Sequence, residues 1–298
     1  MKQIRNINSI QVFGVVSRLK NVTHAADVLN ISQSSVSYHI KKLETEICAP
    51  LFERKPNGLA LTAEGAILSS YVERGLSSIQ AGLEKVSLQT DSVRLAVLPM
   101  FASRWLSSRL GSFWENYPSL QLSFQNHNNT YVKMEHPETF ADLGIQWGRG
   151  DWNEFHVTRL WSEKMVVVCS PEYLKANPID NVSDLTKCTL LHVDDNRMWS
   201  EWFKNNNVES SPSQTQMMLE DRHFQLSSTV NGLGVSLFAK CMIESEIKSG
   251  SLINPFNQTF DTSFAYHLAI PKGVILSPSA IEFKDWLLTL CREKNADT

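Results

Sequence analysis

The chain has 298 residues, 42% of them hydrophobic and 20% charged, which is enough for two or three domains with full cores and excludes a disordered, collagen-like or disulfide-dense chain. The formal net charge of −3 is unevenly divided: residues 1–90 hold 10 Lys and Arg against 7 Asp and Glu, a balance of +3, and the remainder carries −6. A basic head on an acidic body suits a head that meets a polyanion.

The opening MKQIRNINSIQVF lacks the apolar core and small-residue cleavage site of a secretory leader. No apolar run approaches the roughly 18 residues of a membrane span. A cytoplasmic protein with no membrane partner is expected. Ser9 to Leu19 reads as a first helix, because Ile10, Phe13, Val16 and Leu19 recur at helical spacing. Thr23 is placed to cap a second helix with Ala25, Ala26 and Leu29 inward, and Asn30-Ile31 makes a turn. Ser32 caps a third helix running to about Ile47, whose apolar positions Val36, Ile40, Leu43 and Ile47 share one face. The opposite face carries Gln33, Ser34, Ser37, Tyr38 and Lys41. Ser32 to Ser35 stand at the positive end of that helix, where free backbone N–H groups attract phosphate. This is a helix-turn-helix whose last helix is shaped for a major groove. In CAPLFERKPNGLALT, Pro56-Asn57-Gly58 turns between two short strand-like pieces, making a wing with Arg54 and Lys55 on its first arm.

AADVLNISQSSVSYHIKKLETEICAPLFERKPNGLALTAEG resembles the DNA-binding head of the LysR-type transcriptional regulators, a bacterial family, across Ile10–Gly65. The resemblance implies that Ser32, Gln33, Ser34, Ser37, Tyr38, Lys41, Arg54 and Lys55 face bases and phosphates of double-stranded promoter DNA. The family usually has Pro at the position of Ser34 and Arg-Gln at Tyr38-His39. A Tyr cannot grip guanine or phosphate bidentately as an Arg does.

Thr62 caps a long Pro-free helix to about Leu88. Leu68, Val72, Leu76, Ile79, Leu83 and Val86 follow one another at steps of three and four, which makes one apolar stripe. The stripe either packs on the chain's own body or pairs with a second copy; the family pairs it, so a homodimer is expected. Gln89–Ser92 is a polar break. Beyond it the chain alternates strands and helices. VRLAVLP, LQLSF, ADLGIQW, KMVVVCS and AYHLAI read as strands; FASRWLSSRLGSFWENYP reads as one helix and SAIEFKDWLLTLCREK as the last. NGLGVSLF ends a helix at Gly232 and opens a strand. Alternation of this kind implies mainly parallel sheets, with ligands received at the carboxyl ends of the strands.

The body resembles the two-lobed, periplasmic-binding-protein-like effector domain of the same family. VLPMFASRWL, HNN, GIQWGRGDW and NGLGVSLF resemble a subgroup that holds the glycine-cleavage activators and the β-lactamase regulators. The expected architecture is α+β and multidomain: a winged helix-turn-helix over 1–61, a dimerising linker helix over 62–91 and an effector-binding domain over 92–298. Lobe 1 is expected at about 92–161 plus 268–298 and lobe 2 at about 162–267, with passages near Trp161–Lys164 and Tyr266–Ala269. The start of the helix at Pro99, Met100 and Phe101 offers N–H groups to an anion. By resemblance, Met100, Phe101, Asn128, Gln146, Asp221, Arg222, His223 and Tyr266 line an inter-lobe cleft for a small-molecule effector. Arg222 and His223 form a basic pair fit for an acidic ligand or for Asp221. Alternatively Met100, Phe101 and Trp147 simply fill the gap between lobes, and no ligand is taken. The family further implies dimers of dimers on promoter DNA and contact with RNA polymerase.

An enzyme is the rival class. Its best raw material is HVDD at His192–Asp195 and Cys169 in VCSPEY. No GxSxG, P-loop, HExxH or dinucleotide fingerprint is present, and Cys169 sits on an apolar strand where burial makes it inert. The five cysteines, Cys48, Cys169, Cys188, Cys241 and Cys291, form no CxxC or Cys/His cluster. No catalytic residue, metal or cofactor is expected.

Overall fold

Short side-chain caps and helical spacing of apolar residues build the first part of the chain. The computed structural model describes residues 6–55, 58–87, 92–193, 195–209 and 215–296. It divides into two units, Met1–Gln89 and Thr90–Thr298.

In the first unit, α1 spans Ile7–Leu19, α2 Val22–Leu29 and α3 Gln33–Ile47. Lys20 ends α1 in the left-handed region. Asn21, not Thr23, caps α2: its side chain accepts the His24 N–H at 3.0 Å, and Thr23 lies inside the helix. Both residue types cap well. The extended backbone of Asn21 decides between them. Asn30 makes the left-handed turn, a conformation that Asn tolerates better than most residues. Ser32 Oγ then accepts the Ser35 N–H at 3.2 Å and starts α3. Ala25 and Ala26 are buried with Val12, Val16 and Val36; their small side chains let three helices meet closely.

Strands β1, Phe52–Lys55, and β2, Gly58–Leu61, pair antiparallel as the wing. The expected turn residues Pro56 and Asn57 lie outside the described residues. The Glu44 carboxylate of α3 accepts the Leu51 N–H at 2.8 Å and so anchors the strand's approach. Helix α4 spans Ala63–Ser87. Thr62 Oγ1 donates to the Pro50 carbonyl and accepts the Gly65 N–H. A Cβ on Gly65 would stand 2.1 Å from the Leu51 carbonyl oxygen. That atom is backbone and cannot turn aside. Gly65→Ala is therefore expected to cost about 3 kcal/mol of head stability, read as a lowered denaturation midpoint; an unchanged midpoint would refute the close approach.

The stripe of α4 divides. Val72 is buried with Phe13, Leu43 and Leu51, and Leu68 and Leu76 pack against that cluster. These three are core residues of their own head, which corrects the expectation that the whole stripe meets a second copy. Ile79 and Leu83, further along the same face, are 52% and 61% exposed. The Val86 side chain lies outside the described residues.

The second unit holds two sheets. Its elements in order are β3 Ser92–Val97, α5 Pro99–Phe101, α6 Leu110–Asn116, β4 Gln121–Asn126, α7 Pro137–Phe140, β5 Leu143–Gly148 and β6 Phe155–Ser162. There follow β7 Met165–Val168, α8 Pro171–Ala176, β8 Leu190–Val193, α9 Arg197–Asn205, β9 Gln216–Leu219, α10 Arg222–Val230, β10 Val235–Ala239, α11 Glu244–Ser249, β11 Ala265–Pro271 and α12 Pro278–Ala296. One sheet is ordered β4-β3-β5-β11-β6 and the other β7-β10-β8-β9. Strands β3, β4 and β5 run parallel, as do β8, β9 and β10; β11, β6 and β7 pair antiparallel with their neighbours.

Those antiparallel strands mark the two passages between sheets. The first falls at Glu163-Lys164, between β6 and β7. The second lies before Ala265, earlier than the expected Tyr266–Ala269, because Ala265 already pairs with Gly148 and Ser162 in the first sheet. Lobe 2 accordingly ends short of 267. Lys164 and Asp261 tie the two passages by a bidentate ion pair at 2.7 and 2.8 Å.

The single helix expected from Phe101 to Pro118 is broken. Ala102–Leu106 winds as a π turn, and α6 begins only at Leu110. Ser103, Ser107 and Ser108 turn their hydroxyls back onto the carbonyls of Met100, Ser103 and Trp105. Such back-bonding competes with regular helix.

Candidate functional site

Two surfaces gather polar chemistry. On the head, the apolar side of α3 is inside: Val36 and Leu43 are buried. Gln33, Ser34, Ser37, Tyr38 and Lys41 are all exposed, Tyr38 at 61%. Ser32 is exposed but spent: its hydroxyl caps α3 and lies 2.8 Å from Ser34 Oγ. Arg54 and Lys55 are exposed on β1, Lys55 in an ion pair with Glu53 at 2.9 Å. The result is one continuous helix face of hydroxyl, amide and ammonium groups with no apolar competitor except the Tyr38 ring.

In the body, a cleft opens at the carboxyl ends of strands from both sheets. Leu98 to Phe101 follow β3, His127 to Asn129 follow β4, and Trp147 and Tyr266 come from β5 and β11. Val193, Glu220 to Arg222, and Phe238 with Ala239 close it from the ends of β8, β9 and β10. It encloses a cavity of about 60 Å³. That is room for about five waters, so the gap is not wholly filled by side chains. Phe101, Trp105, Trp161 and Tyr266 form one ring stack behind it, with centroids 4.5 to 5.6 Å apart.

The cleft's electrostatics are set by burial. His127 is 5% exposed. Its Nε2–H donates to the Ile145 carbonyl at 3.0 Å, and its Nδ1 accepts from Thr130 N–H at 3.2 Å. Burial lowers its pKa to about 4, so the ring is neutral. Burial raises the Tyr266 phenol far above its ordinary range, which keeps its O–H as a donor. Arg222 Nη1 donates to Gln225 Oε1 at 2.9 Å and to the Leu237 carbonyl at 3.3 Å.

Residues 7–66 match the family model of bacterial regulatory helix-turn-helix proteins of the lysR family, and residues 87–292 match the LysR substrate binding domain. The chain belongs to the LysR family. It is a DNA-binding transcriptional regulator with an effector-binding domain, not an enzyme.

Among its relatives is the glycine cleavage system transcriptional activator of Escherichia coli (strain K12), 29% identical over 290 residues, covering 96% of this chain and 94% of the relative. Another is the carbapenem-hydrolyzing beta-lactamase transcriptional activator of Serratia marcescens, 30% identical over 293 residues, covering 97% and 98%. In fold, the body is similar to the effector domain of the transcriptional regulator AmpR of Pseudomonas aeruginosa. That match has a TM-score of 0.62 at 23% identity and covers 68% of this chain and 97% of that one.

Within this LysR-family body, Met100, Phe101, Asn128, Asp221, Arg222 and Tyr266 line the cleft, whereas Gln146 and His223 do not. Successive strand residues point to opposite faces. Trp147 faces the cleft, so Gln146 turns away, donating to the Asn129 carbonyl and side chain. His223 lies 3.2 Å from Ser103 Oγ. The basic pair expected of Arg222 and His223 is thereby split. Asp221 is engaged as well: its Oδ1 caps α10, accepting from His223 and Phe224 N–H at 2.7 and 2.9 Å. Helix α5 runs directly into the π turn Ala102–Leu106, and Leu98 to Phe101 at its start line the cleft. Sequence reasoning missed His127, Asn129 and Glu220 as liners. The HNN run marked the place, since Asn129 takes the left-handed conformation that ends it.

The regulator's other notable groups are inert. Cys169 is fully buried and burial pushes its thiol up to about 12. His192 is 2% exposed on β8, and Asp194 of the HVDD run lies outside the described residues. Among the described residues, no helix is long and apolar enough to cross a membrane.

Proposed function

We propose that the exposed face of α3 enters the major groove of promoter DNA, with Gln33, Ser34, Ser37 and Tyr38 toward base edges and Lys41 toward phosphate. Arg54 and Lys55 of the wing lie against the adjacent backbone or minor groove. The observation that carries this reading is the division of α3: Val36 and Leu43 are turned inward, and Gln33, Ser34, Ser37, Tyr38 and Lys41 are left exposed with their hydrogen-bonding groups. Two heads are brought together by α4, through Ile79 and Leu83 on one face and Ile67 and Tyr71 on the next, 63% and 69% exposed. Added Cβ atoms at Gly75 and Gly82 would meet nothing, so a partner helix can come close. A two-fold pair presents two heads to two half-sites.

The bodies pair in turn, giving the dimer of dimers. Among the described residues, strands β4 and β9 each stand at an edge of their sheets. Phe124 on β4 and Met217 and Met218 on β9 are 37%, 37% and 57% exposed. Exposed apolar edges are natural joining surfaces. The cleft receives a small molecule whose differing affinity for two arrangements of the assembly alters promoter access, including that of RNA polymerase. The protein works in the cytoplasm, where the promoter is.

The test is a gel shift of the full-length protein on DNA upstream of its own gene at several salt concentrations. Binding that falls steeply with salt is expected. Ser37→Ala with Lys41→Ala should weaken it about 10-fold or more, with the fold intact by circular dichroism. Equal binding by wild type and variant would remove α3 from the interface.

A further inference from the structure

The groove face of α3 contains no arginine: the helix reads QSSVSYHIKKLETEI. We infer that this face reads A·T base pairs, with Tyr38 as the specificity-determining residue whose ring packs on a thymine methyl. The inference rests on the placement of α3 in the major groove proposed above.

The structure prepares Tyr38 for this contact. Its ring is 61% exposed yet braced. His39 meets it edge-on, with centroids 5.6 Å apart, and His39 is itself held 3.0 Å from the hydroxyl of buried Ser9 in α1. The Lys42 ammonium stands over the ring, 6.0 Å from its centroid. His39 therefore positions the reader and is not one. A braced aromatic ring presents an apolar edge at little entropic cost. The apolar group on the major-groove edge of DNA is the C5-methyl of thymine.

The neighbours agree. Gln33, in the first turn, has the donor and acceptor that match N7 and the amino group of adenine. Ser34 and Ser37 bond to any base and choose none. Guanine asks for two parallel donors, best supplied by Arg. The cations of α3, Lys41 and Lys42, stand in its third turn, beyond the N-terminal part from which such helices contact base edges. Lys42 is also drawn to the Tyr38 ring. Phosphate is the partner within their reach.

The experiment uses the full-length protein to select sites from a random duplex library. Thymines held in common are then replaced one at a time by uracil, which removes only the methyl group, and common guanines by 7-deazaguanine, which removes N7. Half-sites centred on A·T pairs are expected. At one thymine per half-site, uracil should weaken wild-type binding about 4-fold, or about 15-fold with both half-sites changed. Tyr38→Ala should bind the thymine and uracil sites equally, and Tyr38→Phe should keep the preference; melting curves confirm that each variant is folded. Common guanines whose 7-deaza replacement weakens binding, or the same thymine-to-uracil ratio in wild type and Tyr38→Ala, would overturn the inference while leaving DNA binding intact. Failure to enrich any site would overturn the placement of α3 in the groove, and this inference with it.

Discussion

Replacing Ile79 and Leu83 together by Glu will break the α4 pair, halving the mass of the assembly, and lower its affinity for a two-half-site operator by about 100-fold or more. Both side chains are more than half exposed on α4, so each chain loses no core contact. In the pair, each Glu would have to surrender its hydration against an apolar partner, which costs far more than the exposed state. A head without its α4 partner retains its phosphate and base contacts but loses the effective concentration that tethering confers on the second head. Sedimentation equilibrium and a titration on intact and single half-sites measure the two effects. A variant whose assembly keeps its wild-type mass, or one that binds the full operator normally, would remove these residues from the seam. Val72→Glu provides the contrast. Val72 is 6% exposed in the head core with Phe13 and Leu51, so this change should unfold the head whether or not a dimer forms.

The body should lose stability steeply in mild acid. His127 is buried and neutral, with its pKa lowered from 6.5 to about 4. Burial also lowers His192 and His267. An unfolded chain protonates these rings below pH 6.5; the folded chain resists down to the lower value. The stabilisation is therefore complete above pH 6.5 and is lost progressively as pH falls toward 4. His127 alone should account for about 2 kcal/mol of loss by pH 5 and about 3 kcal/mol by pH 4. Urea midpoints of the full-length protein at pH 7.5, 6 and 5 read this out. His127→Gln should lower stability at pH 7.5, because Ile145, Thr130 and Tyr131 lose a fitted partner, and should flatten the acid limb. Stability that holds level from pH 7.5 to 5 would contradict the neutral ring.

The head was legible because its information is local. Caps, left-handed turn residues and apolar spacing act within a few positions, so α3 could be placed from Ser32 to Ile47 and its exposed face named residue by residue. The cap of α2 slipped from Thr23 to Asn21 because two good capping residues stand two apart and only the backbone conformation separates them. The long helix expected after β3 broke where Ser103, Ser107 and Ser108 bond back to carbonyls, a competition that composition signals but does not resolve. The stripe on α4 has one spacing and two destinies. Leu68, Val72 and Leu76 join the cluster of Phe13 in α1; Ile79 and Leu83, further along the helix, are more than half exposed.

The cleft shows the opposite case. Its liners come from the ends of eight strands spread from Leu98 to Tyr266. Which residue of each strand looks inward depends on registers that no local pattern states. A shift of one residue reverses every side chain, which is why Trp147 lines the cleft in place of Gln146. By itself the sequence determined the three helices of the head and the chemistry of the α3 face, since both follow from patterns that repeat within a turn. Only the tertiary structure decided which half of α4 is core, where the chain passes between sheets and which side chains enclose the cleft, because each depends on contacts between segments far apart in the chain.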